Sequence, residues 1–397
     1  MPKAKFQKED LKFKPKPMNY LQLHQENKEE TLFGRYITLQ HIEPLILKHQ
    51  AEIMGQSVLG KPIYKLQFGT GKIKILMWSQ MHGNESTTTK ALLDFINFLH
   101  SNTTESKSIL DNFTFCMLPM LNPDGAKLYT RENANGIDLN RDAQNLSQPE
   151  SIVLRKVFDD FHPNYCYNLH DQRTIFAVGD TANPATVSFL APAFNENRDI
   201  NEVRIKAINV IVAMNETLQQ FIRNQVGRFD DSFNLNCVGD TFQHFNVPTI
   251  LFEAGHFATD YEREITRKHI FIALLSGVKF LRENDIVLNE MNNYLKIPQN
   301  KVAFYDFVYK NVKINYDGNE KIINFAAQFK EVLNNEKVTF EAVIAQIDNL
   351  ENYFGHVEID AKAETYTDGE SNFPTLEENA NFYLGENSRI VNGKQSS

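Results

Sequence analysis

The amino-acid sequence predicts an α/β fold: a mixed, largely parallel central sheet with helices on both faces, followed by a small, mostly β C-terminal domain. The first observation is that apolar runs of strand length alternate with helical segments between about Ile37 and Phe280. This order is typical of a sheet that carries helices on both faces. The second observation is that aromatic and β-branched runs, separated by turns such as 316–319, follow after about Asp285. That composition favours β-structure.

The length of the chain, 397 residues, favours one large domain with a smaller one over a single core. The first 30 or so residues are polar, so we expect residues 1–36 to form an N-terminal arm. The large α/β domain is expected over residues 37–284. The small β domain is expected over residues 285–397, and it ends in a polar, acidic tail.

Within the large domain, four apolar runs have the length of buried strands and four segments have helical spacing. The predicted strands are 73–78, 113–120, 165–169 and 248–252. The predicted helices are 91–99, 203–222, 261–280 and a helix that opens at the capping box 147–150 and runs through Phe161. In the C-terminal domain the runs 303–309 and 338–343 are predicted strands.

The charge and the cysteines narrow the classes of function. A net charge of −9 argues against a nucleic-acid or anionic-membrane surface, because phosphate binding needs clustered Lys and Arg. The 3 cysteines match no zinc knuckle or redox pair, which favours free thiols in a reducing compartment. The lysine-rich start has no apolar stretch of a secretory signal, and no run reaches the roughly 18 apolar residues of a membrane helix. We therefore expect a cytoplasmic protein, and the oligomeric state stays open.

Two strand ends carry candidate metal ligands. His82 and Glu85 follow the first predicted strand, and His170 ends the third. Two histidines, one glutamate and a water molecule form a known catalytic zinc set. Each motif also has a simpler interpretation, since Glu85 could serve a helix dipole and a lone strand-end histidine is more often structural.

Two further segments carry residues for catalysis and binding. Arg131, Asn140 and Arg141 lie in one loop after the turn 122–125, and arginine forks match carboxylates, although such a run is often only a solvated loop. Glu253 ends an apolar strand. Partial burial there would raise its pKa toward that of a general base, unless an arginine pairs with it. The nearby His256 is expected to be structural or to support the site, not to bind metal.

Taken together, the motifs resemble the zinc carboxypeptidases, also called funnelin metallopeptidases. The resemblance covers roughly Ile37 to Phe280 and lies in the order of the motifs as well as in the motifs themselves. That order is His82-x-x-Glu85, Asn122-Pro123-Asp124-Gly125, Arg131, Gly136-Ile137-Asp138-Leu139-Asn140-Arg141, His170 and Glu253.

The resemblance implies a role for each matched residue. His82, Glu85 and His170 would bind one Zn²⁺ per chain, and Asp138 would orient the first histidine. Glu253 would be the general base for a zinc-activated water, and Arg131 would polarise the scissile carbonyl and hold the oxyanion. Asn140 and Arg141, with Arg131, would bind the substrate. The implied activity is hydrolysis of a peptide (amide) bond adjacent to a free carboxylate.

The sequence departs from the digestive members of that family in two ways. No tyrosine occurs between His170 and Glu253, where those members carry a mobile active-site tyrosine. The gap between Glu85 and His170 is also short, which suits the bacterial-type and cytosolic-type members better. The residues that line the side-chain pocket are therefore not marked by any motif.

Two other functions fit part of the pattern. Acylases of the aspartoacylase and succinylglutamate desuccinylase type share His-Gly-Asn-Glu and Asp-Leu-Asn-Arg, and remove an acyl group from a single amino acid. The turn 122–125 and Gly136-Ile137 favour the peptidase. A non-catalytic protein that binds carboxylate-ended peptides is the second alternative, and the presence of Glu253 and all three candidate ligands argues against it.

Overall fold

The computed structural model describes residues 18–284 and 289–396. The helices in this part of the chain are α1 Tyr20–Asn27, α2 Leu39–Ile46, α3 Thr87–Leu99, α4 Thr104–Asn112, α5 Pro123–Leu128, α6 Pro149–Phe161, α7 Glu202–Leu218, α8 Val238–His244, α9 Glu264–Glu283 and α10 Met291–Leu295. Short 3₁₀ helices cover Leu47–His49 and Leu139–Arg141.

The strands of the large domain are β1 Glu52–Gln56, β2 Pro62–Phe68, β3 Ile73–Ser79, β4 Phe113–Leu118, β5 Tyr165–Asp171, β6 Phe176–Val178, β7 Val187–Leu190, β8 Val226–Arg228 and β9 Thr249–Ala254. Those of the C-terminal part are β10 Asn300–Val302, β11 Phe304–Tyr316, β12 Asn319–Asn334, β13 Lys337–Ile347, β14 Phe354–Asp360, β15 Tyr366–Thr367, β16 Phe382–Leu384, β17 Ser388–Val391 and β18 Lys394–Gln395.

The central sheet of the described chain has eight strands in the order β1-β2-β4-β3-β5-β9-β7-β8. Its middle, β4-β3-β5-β9, is parallel throughout, and these are the four strands that the apolar runs predict. Strand β2 pairs antiparallel with β1 and β4, and β7 pairs antiparallel with β9 but parallel with β8. The sheet is therefore mixed with a parallel centre, and the predicted fold class is confirmed.

Alternate residues of the central strands face two separate layers of helices, as strand geometry requires. In β3, Ile75 and Met77 pack in one apolar cluster with side chains of α3, α7 and α9. Leu76 and Trp78, which point to the opposite face of the strand, pack in a second cluster with side chains of α6 and α8. Both faces of the sheet are thus buried, which explains why these strands read as continuous apolar runs.

The C-terminal part is mostly β-structure, as predicted. It contains two four-stranded sheets, β13-β12-β11-β14 and, with shorter strands, β15-β16-β17-β18. The two sheets share an apolar core that includes Phe307, Phe325 and Phe382. The predicted domain boundaries at 37 and 285 stay predictions. Residues 1–17 of the predicted arm lie outside the described residues, whereas α1 buries Tyr20 and His24 against the large domain. None of the helices described over 18–284 and 289–396 is both long and apolar enough to cross a membrane.

Asp306 of β11 joins the C-terminal part to the large domain. It accepts hydrogen bonds from the Tyr261 hydroxyl and the Phe329 N–H, both 2.8 Å long. Burial raises the pKa of Asp306 to about 6, although those hydrogen bonds act in the opposite direction. Because an unfolded aspartate has a pKa of about 3.9, the folded state holds the proton more tightly than the unfolded chain.

This pKa shift predicts a pH-dependent loss of stability. Between about pH 4 and pH 6, Asp306 is expected to lower the free energy of unfolding by ~2–3 kcal/mol as pH rises. Urea unfolding at several pH values gives the free energy of unfolding of the wild type and of Asp306→Asn. The difference between these two free energies should change with pH. The exposed Asp317→Asn is the control. A wild-type minus Asp306→Asn difference that stays constant from pH 4 to 7 would contradict the prediction.

Candidate active site

The predicted site residues meet at the carboxyl ends of the parallel strands. His170 lies in β5 directly opposite Glu253 of β9 in the strand register. His82 follows the end of β3, the other neighbour of β5. Ligands bind at this edge in open α/β sheets because the loops after adjacent parallel strands converge there.

Two sequence motifs occur together because their backbones pack against each other. The Asn122 amide donates to the Met81 carbonyl over 3.2 Å, and the Asn84 N–H donates to the Thr130 carbonyl over 3.2 Å. A side chain at Gly83 would place its Cβ 1.9 Å from the carbonyl carbon of Gly125. Only glycine allows this approach, so the loop 81–85 and the turn 122–125 are fixed as a unit.

His82, Glu85 and His170 form a compact, buried cluster. The His82 Nδ1 and His170 Nδ1 atoms lie 2.7 and 2.8 Å from the two carboxylate oxygens of Glu85. The two Nδ1 atoms are 3.1 Å apart. Among the described residues this is the group whose His and carboxylate donor atoms, all within 4.8 Å of one another, could hold a metal ion. The donor set fits Zn²⁺, which prefers imidazole nitrogen and carboxylate oxygen.

Asp138 fixes the orientation of the first histidine. Its Oδ1 lies 2.9 Å from His82 Nε2 and also accepts the Asn140 N–H over 2.8 Å. Burial alone would raise the pKa of Asp138, but the His82 hydrogen bond and the nearby Arg131 charge keep it below its usual value. A proton on Nε2 that is shared with this carboxylate leaves the Nδ1 lone pair for a metal.

Arg131 lies beside the cluster on the open side of the cleft. Its Nε atom donates to Asp138 Oδ2 over 3.1 Å, and its Nη1 atom lies 3.3 Å from Glu85 Oε1. The side chain is about two-fifths exposed. It can therefore donate to a group that reaches the cluster from solvent.

Glu253 is buried in the wall of the cavity that contains the cluster. Its Oε2 atom has no hydrogen-bond partner within 18–284 and 289–396. Burial, together with the charges of Glu85 and Asp171, raises its pKa well above the usual value. The alternative in which an arginine pairs with Glu253 is not observed among the described ion pairs. A raised pKa is the direction that general base catalysis by a carboxylate requires.

Asn140 and Arg141 line the same cavity, of about 660 Å³. Asn140 Oδ1 accepts the Val238 N–H over 3.0 Å, which leaves its amide nitrogen to donate. Arg141 is exposed and bonds the Asn140 carbonyl and Cys237 Sγ over 2.8 and 3.1 Å. Its charge acts on Asp240 in the same cavity, but it forms no ion pair in the described part of the chain. The pair is therefore available to bind a carboxylate.

Asp171 and Arg173 also line the cleft, although neither is among the residues that the sequence motifs single out. Asp171 accepts the Thr87 and Thr88 N–H groups over 2.9 and 3.2 Å, so it caps α3 and holds the loop with Glu85 against β5. The signal was present, because both residues follow His170 at the same strand end. His256, in contrast, packs against His356 and Tyr261 and is not part of the cluster.

The buried His-Glu-His cluster at the carboxyl ends of the parallel strands makes this edge of the sheet a candidate metal site. The sequence model described as zinc carboxypeptidase matches residues 47–220. The resemblance to the zinc carboxypeptidase family is thereby confirmed. The matched segment contains the three clustered residues, Asp138 and Arg141, whereas Glu253 lies beyond it.

Individual relatives agree with this family. Carboxypeptidase E of Caenorhabditis elegans is 34% identical over 159 residues, which cover 32% of this chain and 32% of that protein. Carboxypeptidase SOL1 of Arabidopsis thaliana is 29% identical over 136 residues, or 30% of this chain and 28% of that protein. The chain thus spans about a third of the length of these curated relatives.

A solved structure supports the fold. Thrombin activatable fibrinolysis inhibitor superimposes with a TM-score of 0.50 at 14% identity, over 66% of this chain and 81% of that one. At this identity the similarity concerns the arrangement of the sheet and its helices.

Proposed function

We propose that this protein is a zinc-dependent metallocarboxypeptidase that hydrolyses a peptide (amide) bond adjacent to a free carboxylate. The observation that carries the proposal is one cavity with three parts. The buried cluster of His82, Glu85 and His170 shares it with Glu253, whose Oε2 atom has no hydrogen-bond partner in the described chain, and with Arg141, which forms no ion pair among the described residues. These are the groups that amide hydrolysis next to a carboxylate requires.

Each side chain then has one task. Zinc held by His82, Glu85 and His170 would supply Lewis acidity and lower the pKa of a bound water to about 7. Glu253 accepts the proton of the attacking water and passes it to the leaving amine. Arg131 donates to the oxyanion that develops on the scissile carbonyl. Asn140 and Arg141 bind the terminal carboxylate and so place the last amide bond at Glu253.

Arg141→Gln is expected to raise KM for substrates with a free carboxylate by about 30-fold, with a small effect on kcat. The reason is that a charge-assisted hydrogen bond contributes ~1.5–3 kcal/mol and is present before and during the reaction. Steady-state kinetics on a peptide and on its C-terminal amide measure the effect. The amidated peptide should respond less than threefold, because it offers no carboxylate to Arg141. An equal loss on both peptides would show that Arg141 has another role.

Substrate comparison tests the proposal against its nearest rival. The zinc-loaded protein is incubated with peptides that have a free C-terminus and, separately, with N-acetyl and N-succinyl amino acids. Release of the C-terminal amino acid supports the carboxypeptidase. Release of acetate or succinate alone would make the protein an acylase of the aspartoacylase type. Binding of peptides without hydrolysis, at less than stoichiometric zinc, would favour the non-catalytic alternative.

The cytoplasmic location stays a prediction.

A further inference from the structure

A second cavity adjoins the cluster on the side of the C-terminal domain. Its volume is about 360 Å³, and Glu85 and Arg131 line it where it meets the first cavity. Its far wall comes from the C-terminal sheet, with Gln328 and Phe329 of β12 and Phe340 of β13. The C-terminal domain is therefore a wall of the cleft rather than a separate appendage.

Several contacts fix this wall in place. Glu331 of β12 pairs with Arg35 over 2.8 Å and accepts a hydrogen bond from the Tyr129 hydroxyl. His356 of β14 lies 2.8 Å from the Thr174 carbonyl, and β10 pairs with β6. Because these contacts come from different strands, the wall cannot shift without breaking several of them.

The second cavity has more positive than negative side chains. Its arginines are Arg35, Arg131, Arg173 and Arg263, and its carboxylates are Glu85, Asp171 and Glu331. All three carboxylates are already engaged: Glu85 with the histidines, Asp171 with the N-terminus of α3, and Glu331 with Arg35. Asp171 and Glu331 still act on Arg263 at longer range, but none of the three carboxylates forms an ion pair with Arg263 or Arg173 among the described residues.

Two of the arginines have no acidic partner among the described residues. Arg263 is 1% exposed and donates to the Ala254 and Gln172 carbonyls over 2.6 and 2.9 Å, while its Nε atom has no partner in the described chain. Arg173 is exposed, lines both cavities and forms no ion pair among the described residues. A buried guanidinium without a direct ion-pair partner is costly, and an anion in the cavity would offset that cost.

The position of the cavity defines which part of a substrate it would receive. Arg141 lies in the first cavity only, and the residues that line both cavities are Glu85, Arg131, Asp171, Gln172 and Arg173. A peptide with its terminal carboxylate on Arg141 and its scissile carbonyl at Arg131 would continue into the second cavity. We propose that this cavity binds a carboxylate on the acyl side of the scissile bond, so that the preferred substrates are peptides with an acidic residue just before the bond that is cut. This inference rests on the proposed function.

Two peptides that differ at one position test the proposal. Both have the same C-terminal residue, and the residue before it is Glu in one and Gln in the other. Wild-type kcat/KM is expected to be about tenfold higher for the Glu peptide. Arg173→Gln should reduce this preference to about twofold, because one exposed ion pair contributes up to about a fivefold effect. Arg173→Lys, which retains the charge, should keep most of the preference.

A control variant and a binding measurement separate the possible outcomes. Arg223→Gln removes an exposed arginine that lines neither cavity, and it should leave the preference unchanged. Calorimetric titration of zinc-loaded Glu253→Gln with the two peptides should show the same tenfold ratio in Kd. Equal rates and equal affinities for both peptides would overturn the acidic subsite while leaving the carboxypeptidase intact. If the wild type hydrolysed neither peptide, the result would instead contradict the proposed carboxypeptidase function.

Discussion

Replacement of Glu253 with Gln should lower kcat by about 10³-fold while one equivalent of zinc stays bound per chain. General acid–base catalysis by a positioned side chain contributes about 10²–10⁴-fold, and Gln cannot accept the proton of water. Glu253 has an unpartnered Oε2 atom in the described chain and is not one of the three clustered residues. Its loss should therefore remove proton transfer but spare the metal. Single-turnover kinetics and metal analysis of the same preparation measure both quantities.

Replacement of another glutamate, Glu132, offers a matched control for this prediction. Glu132 follows Arg131 directly but lines neither cavity, so Glu132→Gln should keep kcat within about twofold. Loss of zinc from Glu253→Gln would mean that Glu253 belongs to the metal site. Activity within tenfold of the wild type would assign the proton transfer to another residue.

The centre of the sheet and the site could be predicted because the local sequence contains both the apolar runs of the strands and the polar motifs that follow them. Strands β3, β4, β5 and β9 are buried on both faces and so read as apolar runs. The edges of the sheet could not be predicted in this way. In β1, no residue is fully buried, and β7 and β8 contain only four and three residues. Their pairing depends on tertiary contacts that the sequence does not mark.

The chemistry of the cluster needed the structure for a different reason. The sequence names His82 and His170 but not the ring nitrogen that each one offers. The structure shows both Nδ1 atoms directed at Glu85. Asp138 holds the other ring nitrogen of His82, whereas His170 Nε2 has no hydrogen-bond partner in the described chain. The second cavity was beyond prediction for a similar reason. Arg35, Arg263 and Glu331 are far apart in sequence and belong to no motif, so only the packed domains bring them together.

Loss of one clustered histidine should remove both metal and activity. In His170→Ala only His82 and Glu85 remain, and two protein ligands are fewer than the three of a catalytic zinc site. Zinc measured after gel filtration is expected to fall below about a tenth of an equivalent, with hydrolysis at background. His100→Ala is the control, since His100 is exposed and lies outside both cavities.

The same variant should lose the stabilisation that zinc gives to the wild type. A metal present at about 1,000 times its Kd raises the free energy of unfolding by ~4 kcal/mol, provided that it does not bind the unfolded chain. Removal of zinc by a chelator should therefore lower the Tm of the wild type and of His100→Ala by several degrees. The Tm of His170→Ala should not respond, because no metal is bound at the start. Stoichiometric zinc in His170→Ala, or equal responses of the three proteins to the chelator, would contradict a metal site built on His82, Glu85 and His170.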